Sequence, residues 1–367
     1  MSVRDAAIRR VTARAFEVPT DQPEADGTLS WDKTTMVLVE IEAGGATGLG
    51  YTYADASLVP LIAGKLATIA KERDAFDITG IDEALWRSVR NLGRSGLAAT
   101  AISAIDIALW DLKAKLLDLP LAKLLGRRRE RARIYGSGGF TSYSDETLRR
   151  QLADWVEKDG CRWVKMKIGS EPEDDPRRVE VARRAIGADA GLFVDANGAL
   201  TAQRAVALAE QIAAQRVAWF EEPVTSDDAE GLAFVRSHAP TGMEIAAGEY
   251  GYTLDDFVRL LERPSVDVLQ IDVTRAGGIS GFLQAAALCD ARHIDLSGHC
   301  APAAHRHVAC AAPRFRHLEW FHDHVRIEHM FFDGAPQPKD GTIAPDPSAP
   351  GLGLRLKERD AERFRVG

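Results

Sequence analysis

In the second half of the chain, short apolar runs alternate with helix-length amphipathic stretches. The runs cover 133–137, 163–168, 192–195, 218–222, 244–249, 268–272 and 318–320, and one more ends at His299. Short apolar runs separated by helix-length stretches predict strands buried on both faces of a parallel sheet. Helical periodicity fills the gaps, at 145–158, 175–186, 202–214, 228–238, 254–261, 281–292 and 303–311. Eight strands with seven intervening helices predict an α/β barrel.

Residues before about 125 follow a different rhythm. The stretches 8–18 and 35–53 alternate, and the second breaks at Ala43-Gly44-Gly45-Ala46-Thr47-Gly48, which predicts a hairpin feeding an antiparallel sheet. Helices are expected at 58–71, 81–89 and 97–117, the last with Ala98, Ala101, Ile102, Ile105, Leu109 and Leu112 on one wide stripe. This part reads as a small α+β domain, ending at Gly126 with Arg127, Arg128 and Arg129. After Val325 the chain turns Pro- and Gly-rich and is expected to run back over the N-terminal domain as an extended strap. The expected division is therefore 1–125, 126–325 and 326–367.

Composition narrows the function. With 367 residues, 46% of them apolar, the chain can build two domains or one elaborated barrel. A net charge of -8 with no compensating basic stripe argues against nucleic acid as a partner. No apolar stretch approaches the ~20 residues of a membrane span. Met1 to Arg10 shows no apolar leader segment, so a cytoplasmic protein is expected. Cys161, Cys289, Cys300 and Cys310 have no CxxC spacing and read as buried thiols. Cys300 stands apart because it follows His299.

Ionisable residues close the apolar runs: Lys165 and Lys167, Asp195, Glu221, Glu249, Asp272, His299 and Glu319. From Lys167 onward they are 20 to 28 residues apart, one strand–helix unit each. Such residues converge at the C-terminal mouth of a barrel, where that fold carries its chemistry. Asp195, Glu221 and Glu249 end consecutive strands, and three converging carboxylates call for a divalent cation. Their all-oxygen donor set suits Mg²⁺. Lys165 and Lys167 share one strand face, so each ammonium is expected to lower the other's pKa and make one a usable base. Asp272 beside His299 sets up a second base across the barrel. Glu319 is expected to hydrogen-bond a substrate oxygen. Glu222 points to the opposite face from Glu221 and reads as structural. Asn197 faces the site if its strand continues.

Eight of the nine histidines lie between His293 and His329, which raises a zinc hydrolase as a rival. Strand one, however, reads Ile134-Tyr135-Gly136-Ser137-Gly138 and lacks the His-x-His of barrel zinc hydrolases. His305 and His307 are two apart on a helix and do not face one another. His322 is expected to line the pocket.

These residues resemble the enolase superfamily and, within it, the mandelate racemase subgroup. The resemblance spans nearly the whole chain. It rests on the run from Ala101 to Asp111, Lys165-Met166-Lys167, Val194-Asp195-Ala196-Asn197, Glu221-Glu222-Pro223, Gly248-Glu249, and the Asp272–His299 pair. It implies a modified (β/α)₇β TIM barrel with an N-terminal α+β capping domain. It also implies Mg²⁺ on Asp195, Glu221 and Glu249, holding a substrate carboxylate. Lys167, tuned by Lys165, and His299, backed by Asp272, are then the bases on opposite faces, with Glu319 on the substrate carboxylate. The implied step is removal of the proton α to a carboxylate, giving a metal-stabilised enediolate.

Two outcomes remain open: loss of a β-hydroxyl from a sugar acid to give a 2-keto-3-deoxy acid, or reprotonation as a racemase or epimerase of a 2-hydroxy acid. The expectation is dehydration. Specificity is expected from 19–34 and 91–96 of the capping domain. The first is acidic, with Asp21, Glu24, Asp26 and Asp32 against Lys33, which favours a monoacid unless Arg94 reaches in. Leu29 and Trp31 are expected to close an apolar lid. The expected partner is a small-molecule carboxylate, and the assembly a homo-oligomer.

Overall fold

The structure, a computed structural model, describes residues 6–367, so part of the leader reading lies outside it. Strands β1 (Arg10–Ala25), β2 (Ser30–Ala43) and β3 (Ala46–Tyr53) form an antiparallel meander. Gly44 and Gly45 connect β2 to β3 with φ of 59° and 82°, the left-handed pair that a two-residue hairpin turn requires. The sheet packs on helix Leu97–Leu116 at close range. A Cβ on Gly50 would lie 2.1 Å from the carbonyl oxygen of Ala104. The helix expected over 81–89 starts earlier, as Ile78–Ser88, and the one expected over 58–71 widens into a π-helical turn at Leu61–Leu66.

The barrel follows as β4 (Ala132–Gly138), β5 (Trp163–Lys167), β6 (Gly191–Asp195), β7 (Val217–Glu221), β8 (Glu244–Ala247), β9 (Val268–Ile271), β10 (Asp295–Gly298) and β11 (Phe315–Phe321). All eight run parallel, and β11 pairs with β4 to close the ring. Helices Asp145–Glu157, Asp175–Ile186, Ala202–Gln211, Ala229–His238, Leu254–Glu262, Gly278–Arg292 and Pro302–Ala311 join them. The barrel with its capping domain is therefore the fold that the apolar pattern predicts.

The interior is layered. Tyr135, Phe193, Trp219 and His317 pack together as an aromatic floor, with Trp163 at its edge. Two residues further along the same strands stand Ser137, Asp195, Glu221, Glu319 and Lys165. The two-residue period of a pleated strand thus places a polar layer directly above an aromatic one.

The segment after β11 differs from the extended strap expected from 326. Helix His322–Phe331 crosses that point, burying Ile327 and Phe331. Its histidines and acidic residues mask the helical spacing in the sequence. The remaining chain does run back. Leu352 donates its backbone N–H to Asp111 at 2.6 Å, and Arg365–Val366 adds an edge strand beside β1.

Candidate active site

The strands end, and the backbone then turns sharply. Gly139, Gly169, Asn197, Glu222, Gly248 and Cys300, all just past a barrel strand, have positive φ. For Asn197 (45°), Glu222 (36°) and Cys300 (52°) this costs on the order of 1 kcal/mol each. The cost buys placement, because each side chain is aimed back toward the mouth.

Asp195, Glu221 and Glu249 each offer a carboxylate oxygen within 4.8 Å of the other two, and all three are buried. Oε2 of Glu249 and Oε1 of Glu222 are buried without a hydrogen-bond partner among the described residues. Buried carboxylate oxygens without a hydrogen bond, beside an all-oxygen cluster, fit a hard divalent ion. Trp219 Nε1 donates to Glu221 Oε2 at 2.9 Å and fixes that carboxylate from below.

Lys165 Nζ lies 2.5 Å from Glu221 Oε1, 2.8 Å from Glu319 Oε1 and 3.2 Å from Asp195 Oδ2. Lys167 Nζ lies 2.5 Å from Asp195 Oδ2 and 3.0 Å from Asn197 Oδ1. These contacts oppose the expected lowering of the lysine pKa. Burial does push both ammonium groups down, but Glu221 and Glu319 hold Lys165 well above its ordinary value, and Asp195 raises Lys167. The mutual repulsion of the lysines is real and is outweighed by carboxylates at contact distance. Burial would likewise raise Asp195, yet Lys167 and Lys165 hold it down to about 2.

Across the mouth, His299 Nδ1 lies 2.8 Å from Asp272 Oδ2, which leaves Nε2 facing the cavity. That Nε2 is 3.2 Å from Glu249 Oε2 and 3.6 Å from Glu319 Oε2. Thr274 donates its N–H and hydroxyl to the other oxygen of Asp272. Burial opposes the charge on Asp272, but His299 and Arg275 keep its pKa low. At Glu319 burial is outweighed by Lys165 and His299, which hold its carboxyl well below the usual carboxylate range.

Further residues complete the site. Ser137 donates to Glu319 Oε1 at 2.6 Å, and the Cys300 backbone N–H donates to Glu319 Oε2 at 3.1 Å. Cys300 Sγ sits 3.2 Å from His299 Nε2, so the residue flagged by its neighbour does belong to the site, as a buried thiol whose pKa burial raises. Ser137 was legible from alternation, two residues after the inward Tyr135. Arg275 reaches the Glu249 carbonyl at 3.1 Å and had no sequence signal. Glu222 is corrected: the left-handed turn buries it beside Glu249, whose charge, after burial itself, raises its pKa. Asn197 is corrected in its reason, because β6 ends at Asp195 and the turn, not a continuing strand, brings Asn197 to Lys167.

The capping-domain residues divide. The stretch 19–34 is a bulged extension of the β1–β2 hairpin, pairing Glu24 with Trp31 after a register shift. Trp31 packs edge-on against Phe140, in an apolar cluster with Tyr143, Cys300 and Phe321. Leu29, expected beside it in the lid, is 68% exposed. Gly27 at the hairpin tip sits on the barrel mouth: a Cβ there would lie 2.4 Å from the Ala196 carbonyl oxygen and 2.7 Å from that of Ile168. Arg94 lines a separate cleft of about 410 Å³ with Trp86, Tyr252 and Gly277, and the structure does not bring it to the carboxylates. His322 pairs with Asp21 at 3.0 Å, again apart from them. His305 and His307 face apart, on Val273 and Leu352.

A closed barrel whose mouth gathers three carboxylates between an amine and an imidazole, under an α+β cap, defines an enzyme built for carbon-acid chemistry. Two family models match the chain: the mandelate racemase/muconate lactonizing enzyme N-terminal domain over residues 10–126, and the enolase C-terminal domain-like family over 147–361. The chain belongs to the mandelate racemase/muconate lactonizing enzyme family of the enolase superfamily.

Among solved structures, a mandelate racemase/muconate lactonizing enzyme-like protein from Rubrobacter xylanophilus superposes with a TM-score of 0.96 at 48% identity, covering 98% of this chain and 100% of that one. The L-talarate dehydratase from Polaromonas sp. JS666, solved with Mg and L-glucarate, gives 0.88 at 30% identity, covering 98% of each. The 3,6-anhydro-alpha-L-galactonate cycloisomerase of Streptomyces coelicolor is 32% identical over 98% of this chain and all of its own. The relatives include sugar-acid dehydratases and cycloisomerases, and this chain is an enzyme. No helix among the described residues is long and apolar enough to cross a membrane.

Proposed function

We propose that this enzyme removes the proton α to the carboxylate of a sugar acid and expels the β-hydroxyl, giving a 2-keto-3-deoxy acid. The reading rests on one observation: the three buried carboxylates lie between two bases, with Lys167 on Asp195 at one flank and His299 on Glu249 at the other. In this reading Asp195, Glu221 and Glu249 hold Mg²⁺, the ion bound in the dehydratase relative. When bound it supplies electrostatic stabilisation of the developing dianion.

Lys167, once its ammonium has given its own proton to solvent, takes the α-proton on its face as the neutral amine. His299, held in one tautomer by Asp272, either takes the proton on the opposite face or donates one to the departing β-oxygen. Atoms balance as loss of one water and tautomerisation of the enol. Ser137, Lys165 and the Cys300 N–H keep Glu319 ionised and oriented to accept a substrate hydrogen bond. Trp31 covers the mouth and limits water entry. Asn197 steadies the Lys167 amine. His322 and Arg94 are given no substrate contact, since His322 pairs with Asp21 and Arg94 lines a separate cleft. The capping domain (1–125), barrel (126–325) and C-terminal segment (326–367) act together, and we take the assembly to be a homo-oligomer.

A second reading has support in the cycloisomerase relative, which matches this chain end to end. In an acid whose β-oxygen belongs to a ring, the same elimination opens the ring instead of releasing water. Incubation with mono- and diacid sugars and anhydro or lactone acids in D₂O, followed by NMR, decides. Loss of the α-proton with a dehydrated keto acid supports the first reading. A ring-opened isomer selects the second, and exchange with inversion alone, a racemase or epimerase, overturns both.

A further inference from the structure

We propose a second cation site, formed by Asp21, Glu24 and His322, that takes a divalent transition ion such as Zn²⁺ and staples the β1–β2 hairpin to the end of β11. Each of the three residues offers a ligand atom within 4.8 Å of the other two. His322 Nε2 is already 3.0 Å from Asp21 Oδ2. None of the three belongs to the catalytic carboxylate cluster.

The decisive feature is Glu24. It is fully buried, one oxygen accepts from Trp31 Nε1 at 2.8 Å, and the other, Oε1, has no partner among the described residues. Burial pushes its carboxyl up to about 8, and the charge of Asp323 adds to this. The nearby cation, Arg326, is committed to Asp323 Oδ1 and the carbonyl of Pro19. A buried carboxylate with no counter-charge must bind a proton or a cation near neutral pH. An imidazole and a second carboxylate in reach supply the rest of a coordination sphere.

The donor set decides the ion. One nitrogen and two oxygens suit zinc, manganese or cobalt better than Mg²⁺, which prefers oxygen alone. The side chains of His322 and Asp21 remain 26% and 42% exposed, leaving an entry path and room for water as a further ligand. The cleft beside them, about 360 Å³, is lined by Asp21, His322, Tyr143 and Gln151. Asp21 and His322 are 301 residues apart in sequence, so the ion joins the capping domain to the barrel. The hairpin it secures carries Gly27 and Trp31 over the mouth. Loading this site therefore holds the lid shut.

Untagged protein in excess Mg²⁺ is titrated with Zn²⁺ by calorimetry, desalted, and counted for zinc by mass spectrometry. One Zn²⁺ per chain is expected in the wild type and in Asp195→Asn, with affinity falling at least tenfold in Glu24→Gln and in His322→Gln. Zinc that is absent from the wild type, or equal in both variants, overturns the site and leaves Glu24 holding a proton only. Because either variant can lose its fold, Co²⁺ is added to the wild type as an independent probe. Visible d–d bands that Mg²⁺ does not displace support a nitrogen-containing site, and bands displaced by Mg²⁺ overturn it. Failure of the catalytic reading changes none of these outcomes.

Discussion

Lys167 Nζ lies 2.5 Å from Asp195 Oδ2, so the amine proposed to take a proton and the carboxylate proposed to hold a cation neutralise one another. The pair is a lock on both functions. Removing the amine leaves Asp195 with less competition and lifts a repelling charge from the cluster. Lys167→Met is expected to tighten Mg²⁺ binding by about tenfold, roughly 1.4 kcal/mol for a screened charge at this range. Calorimetric titration of the variant checks it, and weaker binding contradicts the coupling.

Asp272 holds His299 through Nδ1, with Thr274 fixing the carboxylate in turn. Asp272→Asn keeps the shape but disturbs the tautomer and removes the charge. We expect kcat to fall on the order of 10²- to 10⁴-fold while Mg²⁺ affinity stays within about threefold, because Asp272 is not one of the three clustered carboxylates. Equal losses in both would show that Asp272 serves the fold or the metal instead.

Gly27 seats the hairpin tip on the carbonyls of Ile168 and Ala196, with no room for a Cβ. Gly27→Ala should lift the tip and loosen Trp31 over the mouth. The expected result is a several-fold rise in KM and a red shift in tryptophan emission, with unchanged Mg²⁺ affinity. An unchanged KM would mean that the hairpin does not govern access.

Glu328 accepts from the Tyr51 hydroxyl at 2.6 Å and from the Ala303 N–H at 2.9 Å, joining cap and barrel. Burial pushes its carboxyl up to about 8, against 4.5 ordinarily. A folded-state pKa above the unfolded one favours folding fully below about pH 4.5, and that contribution is lost as pH rises toward 8. Glu328→Gln removes the titration. Its melting temperature should fall by several degrees less than that of the wild type between pH 5 and 8.5. Parallel melting curves in the two proteins would place the pH dependence elsewhere.

The barrel was legible because strands buried on both faces cannot hide their apolar runs, and the catalytic candidates because each stands at the end of such a run. Alternation carried Lys165, Asp195, Glu221 and Glu319 into the site. It failed for Glu222 and Asn197, where the strand stops and a left-handed residue turns the side chain back. It also failed for the protonation of Lys167, since a one-dimensional pattern shows that two ammonium groups are neighbours but not that a carboxylate lies at 2.5 Å. His322 looked like a pocket residue by its closeness to β11. Asp21, which lies within the register shift between Pro19 and Glu24, pairs with it instead.

Lys167 and His299 are proposed to act on opposite faces of one bound substrate. Solvent-exchange NMR in D₂O on both epimers of an accepted acid, using Lys167→Ala and His299→Asn, tests it directly. Each variant should lose exchange with one epimer and keep a measurable rate with the other, in opposite senses. Loss of the same epimer in both variants would contradict the account.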